Sequence, residues 1–124
     1  LPLLSHGDRK KMTAYVRLFQ MGDFDAIRDL LAEDVKLDLV NRLKLEGRQE
    51  ISRYFTGYAQ VTKWRFAFGA VEGRPAMLVF DNTSPMDKPA HFVLLEWRAD
   101  RIIAIRDFLF VSYALEAVDW VRLG

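Results

Sequence analysis

Residues 64–110 read WRFAFGAVEGRPAMLVFDNTSPMDKPAHFVLLEWRADRIIAIRDFLF. Four runs rich in β-branched and aromatic residues stand out, and short turn-forming stretches separate them: Trp64 to Val71, Pro75 to Asp81, Ala90 to Arg98 and Arg101 to Phe110. They predict strands. Connections as brief as Glu72-Gly73-Arg74 and Ala99-Asp100 make neighbouring strands antiparallel, whereas Asn82 to Pro89, with two prolines, reads as a loop. Trp64, Phe66 and Phe68 alternate with Arg65, Ala67 and Gly69; Phe92 and Leu94 with Val93, Leu95 and Trp97; Ile103 and Ile105 with Ile102 and Ala104. Both faces are apolar. A sheet with one wet face would carry polar residues there, so helices are expected on one side and a partner copy or neighbouring domain on the other.

Upstream the period is helical. After Asp8 as a candidate N-cap, Met12, Tyr15, Val16 and Phe19 recur at helical spacing until Gly22, a C′ glycine. Asp23 then caps a second, short helix with Phe24, Ile27, Leu30 and Leu31 inward. From Val35 to Val40 the period becomes two, and Val35, Leu37 and Leu39 share a strand face opposite Lys36 and Asp38. Leu43 to Leu45 continues as a short extended piece. Ile51, Tyr54, Phe55 and Tyr58 restore helical spacing for a third helix ending near Ala59, and Ser112 caps a last one over Tyr113 to Leu123. The sum is α+β: about three helices packed on a strongly curved antiparallel sheet.

The whole chain has 124 residues, 51% hydrophobic, with 18 basic against 17 acidic residues and no cysteine. By area scaling roughly 21,000 Å² of extended chain folds to about 7,000 Å², enough burial for one core and against disorder. Residues 8–124 read as a single domain and 1–7 as the end of a linker. The absence of cysteine excludes disulfide scaffolds and thiol chemistry, and with only His6 and His91 no histidine-rich metal site can form. A net charge of +1 offers no general attraction for nucleic acid or anionic lipid, and Arg9-Lys10-Lys11 is short enough to be a solvated helix face. No apolar stretch approaches a membrane span and no leader pattern opens the chain, so a cytoplasmic protein is expected. The glycines form no phosphate-cradling pattern. No cofactor and no metal is expected.

Helix, helix, strand, helix and a four-strand meander resemble the NTF2-like, SnoaL-like cone. Gly22-Asp23-Phe24-Asp25-Ala26 leading to Leu31-Ala32-Glu33-Asp34-Val35 is similar to that superfamily's opening, and Ile103-Ala104-Ile105-Arg106-Asp107-Phe108 to its closing strand. Leu37-Asp38-Leu39-Val40-Asn41-Arg42, Tyr54-Phe55 with Tyr58, and Trp64-Arg65 resemble the SnoaL-like domain at the C-terminus of some extracytoplasmic-function (ECF) RNA polymerase sigma factors. The resemblance implies a regulatory module, with DNA-binding sigma regions N-terminal to it. A start at Leu1 rather than Met agrees with a domain cut from such a parent. Expected partners are a second copy, or the sigma domains and RNA polymerase, and the module itself touches no nucleic acid.

The resemblance also frames the chemistry. The cone's mouth holds a small molecule, and enzymes of the superfamily place one or two carboxylates there as general base or acid. In isomerases of this fold the base stands on the first strand, at the position Leu39 occupies here, and leucine abstracts no proton. Asp38 faces the other way, where Arg42 is a candidate partner. Asp107 shares a face with Ile103, Ile105 and Leu109, a carboxylate among apolar side chains with Arg65 or Arg98 as candidate partners; in the inverted register Arg106 points inward instead. Tyr54, Tyr58, Trp64 and Trp97 offer apolar surface with polar tips for a small apolar ligand. His91 opens a strand after Pro89, where it can bond the loop. These residues lead to a noncatalytic regulatory domain that binds a ligand or partner. The alternative is a small cofactor-free isomerase, cyclase or hydrolase using Asp107 with a tyrosine.

Overall fold

A computed structural model describes residues 5–82 and 88–124 of the chain. Among these residues three α-helices form, α1 (His6–Met21), α2 (Phe24–Leu30) and α3 (Arg48–Ala59). The strands are β1 (Leu31–Leu39), β2 (Leu43–Glu46), β3 (Trp64–Val71), β4 (Arg74–Asp81), β5 (His91–Arg98), β6 (Arg101–Asp107) and β7 (Trp120–Arg122), with a 3-10 segment at Leu109–Ala117. The surface area of 7249 Å² matches the value expected of a folded chain of this size.

Local chemistry sets the helix ends. Ser5, not Asp8, caps α1 and accepts from the Asp8 amide at 3.0 Å, so residues 5–7 of the expected linker belong to the helix start. The earlier cap wins because Asp8 sits in the first turn, where its charge favours the helix N-terminus. Gly22 ends α1 in the left-handed region at φ 72°, and Asp23 accepts from the Ala26 amide to start α2.

The sheet is seven-stranded, in the order β2-β1-β6-β5-β4-β3-β7. The sheet is antiparallel, as expected, at every described pair except β1 with β6, which run parallel. The chain between β1 and β6 is long enough to return in the same direction, which a hairpin never allows. Register shifts fall between Leu31 and Lys36 on β1 and opposite Glu96 and Trp97 of β5, where Ile103 of β6 is the extra residue. Such bulges bend the sheet and change which residues share a face. Hence Ile102, rather than Ile103, is buried with Ile105 and Asp107. The β3–β4 hairpin closes through Glu72 and Gly73, both at positive φ, and Arg74 belongs to the strand. Of the expected loop 82–89, residues 83–87 lie outside the described ones.

The main core joins the helices to one sheet face, through Met12, Tyr15 and Phe19 of α1, Ile27 of α2, Ile51 and Phe55 of α3, and Leu37, Phe68, Met77, Val93 and Ile105 of the sheet. A second core lies on the other face, where Ala67, Leu78, Phe80, Phe92 and Leu94 pack with Leu115, Phe108, Val118 and Trp120. Both faces are covered, as their composition requires, but the second cover is the chain's own C-terminal segment. The observation that pointed to a partner on that face is thereby met within the chain. The expected helix over Tyr113 to Leu123 does not form. The backbone breaks at Val111 (φ −133°, ψ 51°), and β-branched Val118 extends into β7, which pairs with β3.

That pairing depends on Gly69. A Cβ there would lie 2.5 Å from the Val121 carbonyl oxygen and 2.7 Å from Leu78 Cδ1. Gly69→Ala is therefore expected to cost about 1 to 3 kcal/mol and to detach β7. Chemical denaturation, with amide exchange at Trp120 to Arg122, measures both; unchanged stability and protection would contradict the packing.

Candidate functional site

The end of α3 and the end of β6 meet around one carboxylate. Tyr54 and Tyr58, one helical turn apart, lie on the same side of α3, and parity on β6 turns Asp107 inward and Arg106 outward. Asp107 is fully buried. Its Oδ2 accepts from both tyrosine hydroxyls at 2.7 Å, and its Oδ1 accepts from the Leu109 amide at 2.9 Å, a local bond that turns the chain out of β6. His91, also buried, places Nε2 2.9 Å from the Tyr58 hydroxyl and 3.7 Å from Asp107 Oδ1.

Proton counting orders this network. The single Tyr58 hydroxyl proton goes to Asp107, so the bond with His91 requires His91 Nε2 to be the donor. The edge of His91 rests against Trp64, with ring centroids 5.2 Å apart. Asp107 thus has three donors and no arginine. The candidate partners Arg65 and Arg98 are not used; Arg65 Nε donates to Asn82 instead.

Burial, followed by the Asp107 charge, pushes the phenols of Tyr54, Tyr58 and Tyr15 well above 10. Desolvation lowers His91 below its usual 6.5, the neighbouring Asp107 opposing that shift and Lys63 adding to it. A depressed histidine takes its proton first in the unfolded chain, so its contribution to stability is complete above about 6.5 and is lost as pH falls below that value. The tyrosines act at the other end: three of the four keep their protons in the fold, and that stability is lost as pH rises past about 10. A plot of unfolding free energy against pH is expected to decline on both sides of this window. His91→Gln is expected to flatten the acid limb, and an unchanged limb would show that His91 does not cause it.

In front of the carboxylate opens a cavity of about 520 Å³, within the range of small-molecule sites. Leu37, Leu39, Leu43 and Leu45 form one wall, Tyr54 and the buried Tyr58 the inner end, and the half-buried Trp64 and Leu109 complete the lining. Leu39 faces this space, as the strand alternation demands. Asp38 does not, and pairs with Arg106 at 3.7 Å rather than with Arg42, whose guanidinium lies over Phe110. Of the five residues singled out for ligand contact, Tyr54, Tyr58 and Trp64 line the cavity and Asp107 sits behind the two tyrosines. Trp97 is not brought to them; it lies beside Lys10, Lys11 and Leu30, with Lys11 Nζ 5.3 Å from its ring. Trp97 keeps the face of Val93 and Leu95 and packs against the main core, but it stands six residues along β5 from His91, roughly 20 Å from the cavity end of the strand. His91 was readable only as a loop-bonding residue. Its signal was its phase with inward Val93 and Leu95 on an otherwise apolar strand. Among the described residues no cluster of histidine and carboxylate ligands could hold a metal ion, and no helix is long and apolar enough to cross a membrane.

A curved, open α+β cone with an apolar mouth and a buried carboxylate at its base defines an NTF2-like pocket domain. A family model described as the SnoaL-like domain matches residues 12–113, and the chain belongs to that family. No functionally curated protein matches the sequence. Among solved structures the chain is similar to Bal32a, from a soil-derived mobile gene cassette, at 18% identity over 89% of this chain and 94% of that one, with a TM-score of 0.62. A protein of Sinorhizobium meliloti provisionally assigned as a polyketide cyclase shares 13% identity over 79% of this chain and 93% of its own, with a TM-score of 0.59. A de novo designed protein with a curved β-sheet shares 21% identity over 92% and 98%, with a TM-score of 0.62. At these identities the likeness concerns the fold.

Proposed function

We propose that this domain is a noncatalytic sensor that binds a small, largely apolar molecule in its mouth, as the regulatory C-terminal domain of an ECF-type sigma factor. One observation carries the binding part: the cavity is walled by leucines and aromatics, while its single carboxylate lies behind Tyr54 and Tyr58 and is already bonded to three donors. A general base needs reach to the proton it takes. Leu39 supplies none from the first strand, and Asp107 is screened. The sigma-factor context rests on the resemblance at Leu37 to Arg42, Tyr54-Phe55 with Tyr58, and Trp64-Arg65. A coding frame upstream with sigma regions and a helix-turn-helix would support it, and an unrelated upstream frame would remove it.

A neutral fluorescent probe, N-phenylnaphthylamine, tests the binding part directly. Saturable binding at one site per chain is expected. Gly57 lines the cavity from α3, and a Cβ there meets no atom within 4 Å. Gly57→Leu should therefore fill the mouth and weaken probe binding at least tenfold, equivalent to about 1.4 kcal/mol. Helix propensity makes the same variant more stable by up to about 1 kcal/mol. Failure of the wild-type chain to bind the probe would end the reading.

The tyrosine, histidine and carboxylate cluster supports a second reading, a cofactor-free isomerase, cyclase or hydrolase in which Asp107 and Tyr54 exchange a proton with substrate. The name carried by the Sinorhizobium relative points the same way. Turnover of epoxide, ketosteroid or polyketide-type substrates that is abolished by Asp107→Asn would establish it over the first.

A further inference from the structure

We infer that the mouth selects a small monoanionic amphiphile, with its apolar body in the throat and its carboxylate-type head at the rim. This inference rests on the binding reading above and adds the ligand's charge and orientation. Among the described residues two charged side chains line the cavity, Arg53 and Lys63, and both are exposed cations at its opening. Arg53 has no ion-pair or hydrogen-bond partner among the described residues. Lys63 makes one long contact with Asp81, at 3.9 Å, with about half of its side chain in solvent. Arg42, over the ring of the lining residue Phe110, adds a third positive charge beside the mouth.

The inner end has the opposite character. Both tyrosine hydroxyl protons there are committed to Asp107 Oδ2, and the His91 Nε2 proton to Tyr58. No donor of this network is left for an anionic head, and the Asp107 carboxylate behind the phenols repels one. The cavity is therefore polarised, negative at its base and positive at its lip, with apolar walls between. Leu43, Val61 and Phe110, large apolar side chains left exposed, line the same opening. They extend the apolar track to the level of the cations, so the body of a ligand is covered up to the point where its head meets Arg53. An anionic head at the mouth stays hydrated and avoids the cost of burying a charge.

Decanoate and decanol share a tail and differ in the head, and their displacement of N-phenylnaphthylamine tests the inference. Exposed ion pairs contribute about 0.2 to 1 kcal/mol each, so Arg53→Gln/Lys63→Gln is expected to weaken decanoate roughly threefold to tenfold. Decanol should change less than about twofold. Arg53→Glu, which changes the charge by the same two units, should weaken decanoate comparably and tighten decylammonium, and added salt should weaken decanoate alone. Both variants change exposed side chains, and circular dichroism with probe binding confirms their fold. If decanol binds and decanoate ignores the substitutions and the salt, the charge inference is wrong and the cavity reading stands. If neither decanol nor the probe binds, the cavity reading itself has failed.

Discussion

Asp107→Ala is expected to destabilise the fold by roughly 3 to 5 kcal/mol, because it removes the acceptor shared by three buried or half-buried donors. The Tyr54 hydroxyl and the Leu109 amide lose their partners outright, and the Tyr58 hydroxyl must turn to His91, which then has to change tautomer. Tyr54→Phe and Tyr58→Phe should each cost about 1 kcal/mol in the wild-type chain. In the Asp107→Ala background Tyr54→Phe should cost close to nothing, since the hydroxyl removed there is already unpaired, and Tyr58→Phe should cost less than in the wild-type chain, since only its bond with His91 remains. Urea unfolding of the singles and doubles measures the coupling. Additive losses would mean that the three side chains do not share one network.

The same network shows why the site was only partly legible in the sequence. Met12, Tyr15, Val16 and Phe19 announce α1, and Gly22-Asp23 announces the turn into α2, because these signals are local: a period, a left-handed glycine and a side-chain cap. Asp107 stood out as a carboxylate in phase with Ile105. Which tyrosines meet it, and that His91 joins them, was not legible, since Tyr54, Tyr58 and His91 lie on α3 and β5, and only the folded sheet brings them within hydrogen-bond reach. Ile103 leaves the face of Ile105 because strict alternation fails across the β6 bulge, which no local residue marks, whereas Trp97 keeps its face and lies too far along β5 to reach the cavity. The C-terminal segment was misread because helical spacing around Tyr113 to Leu123 says nothing of the second sheet face. Leu115 satisfies that face from a 3-10 turn, and Trp120 to Arg122 satisfies the edge of β3. A two-sided apolar sheet states that a cover exists without saying whose it is.

Phe68→Ala is expected to cost roughly 3 to 5 kcal/mol, whereas Trp64→Ala on the same strand should cost only about 1 to 2 kcal/mol. The two alternate in phase on β3, and the sequence alone gives them equal standing as core residues. Phe68 is 4% exposed, packs in the main core and carries the backbone acceptor for the Leu123 and Gly124 amides. Trp64 is half-buried at the mouth, where its ring lines the cavity, borders His91 and lies under the Lys63 ammonium at 4.5 Å. Truncating it removes a wall and leaves an open site that water can enter, so little of its surface counts as lost core. Binding should respond in the reverse order. Trp64→Ala is expected to weaken N-phenylnaphthylamine roughly tenfold, the value of about one aromatic contact, while Phe68→Ala, at a temperature where it stays folded, leaves the probe's affinity within about twofold. Denaturation and probe titration on the same two variants decide the matter. Equal stability losses, or equal binding losses, would show that the mouth and the core are not the separate regions that β3 divides.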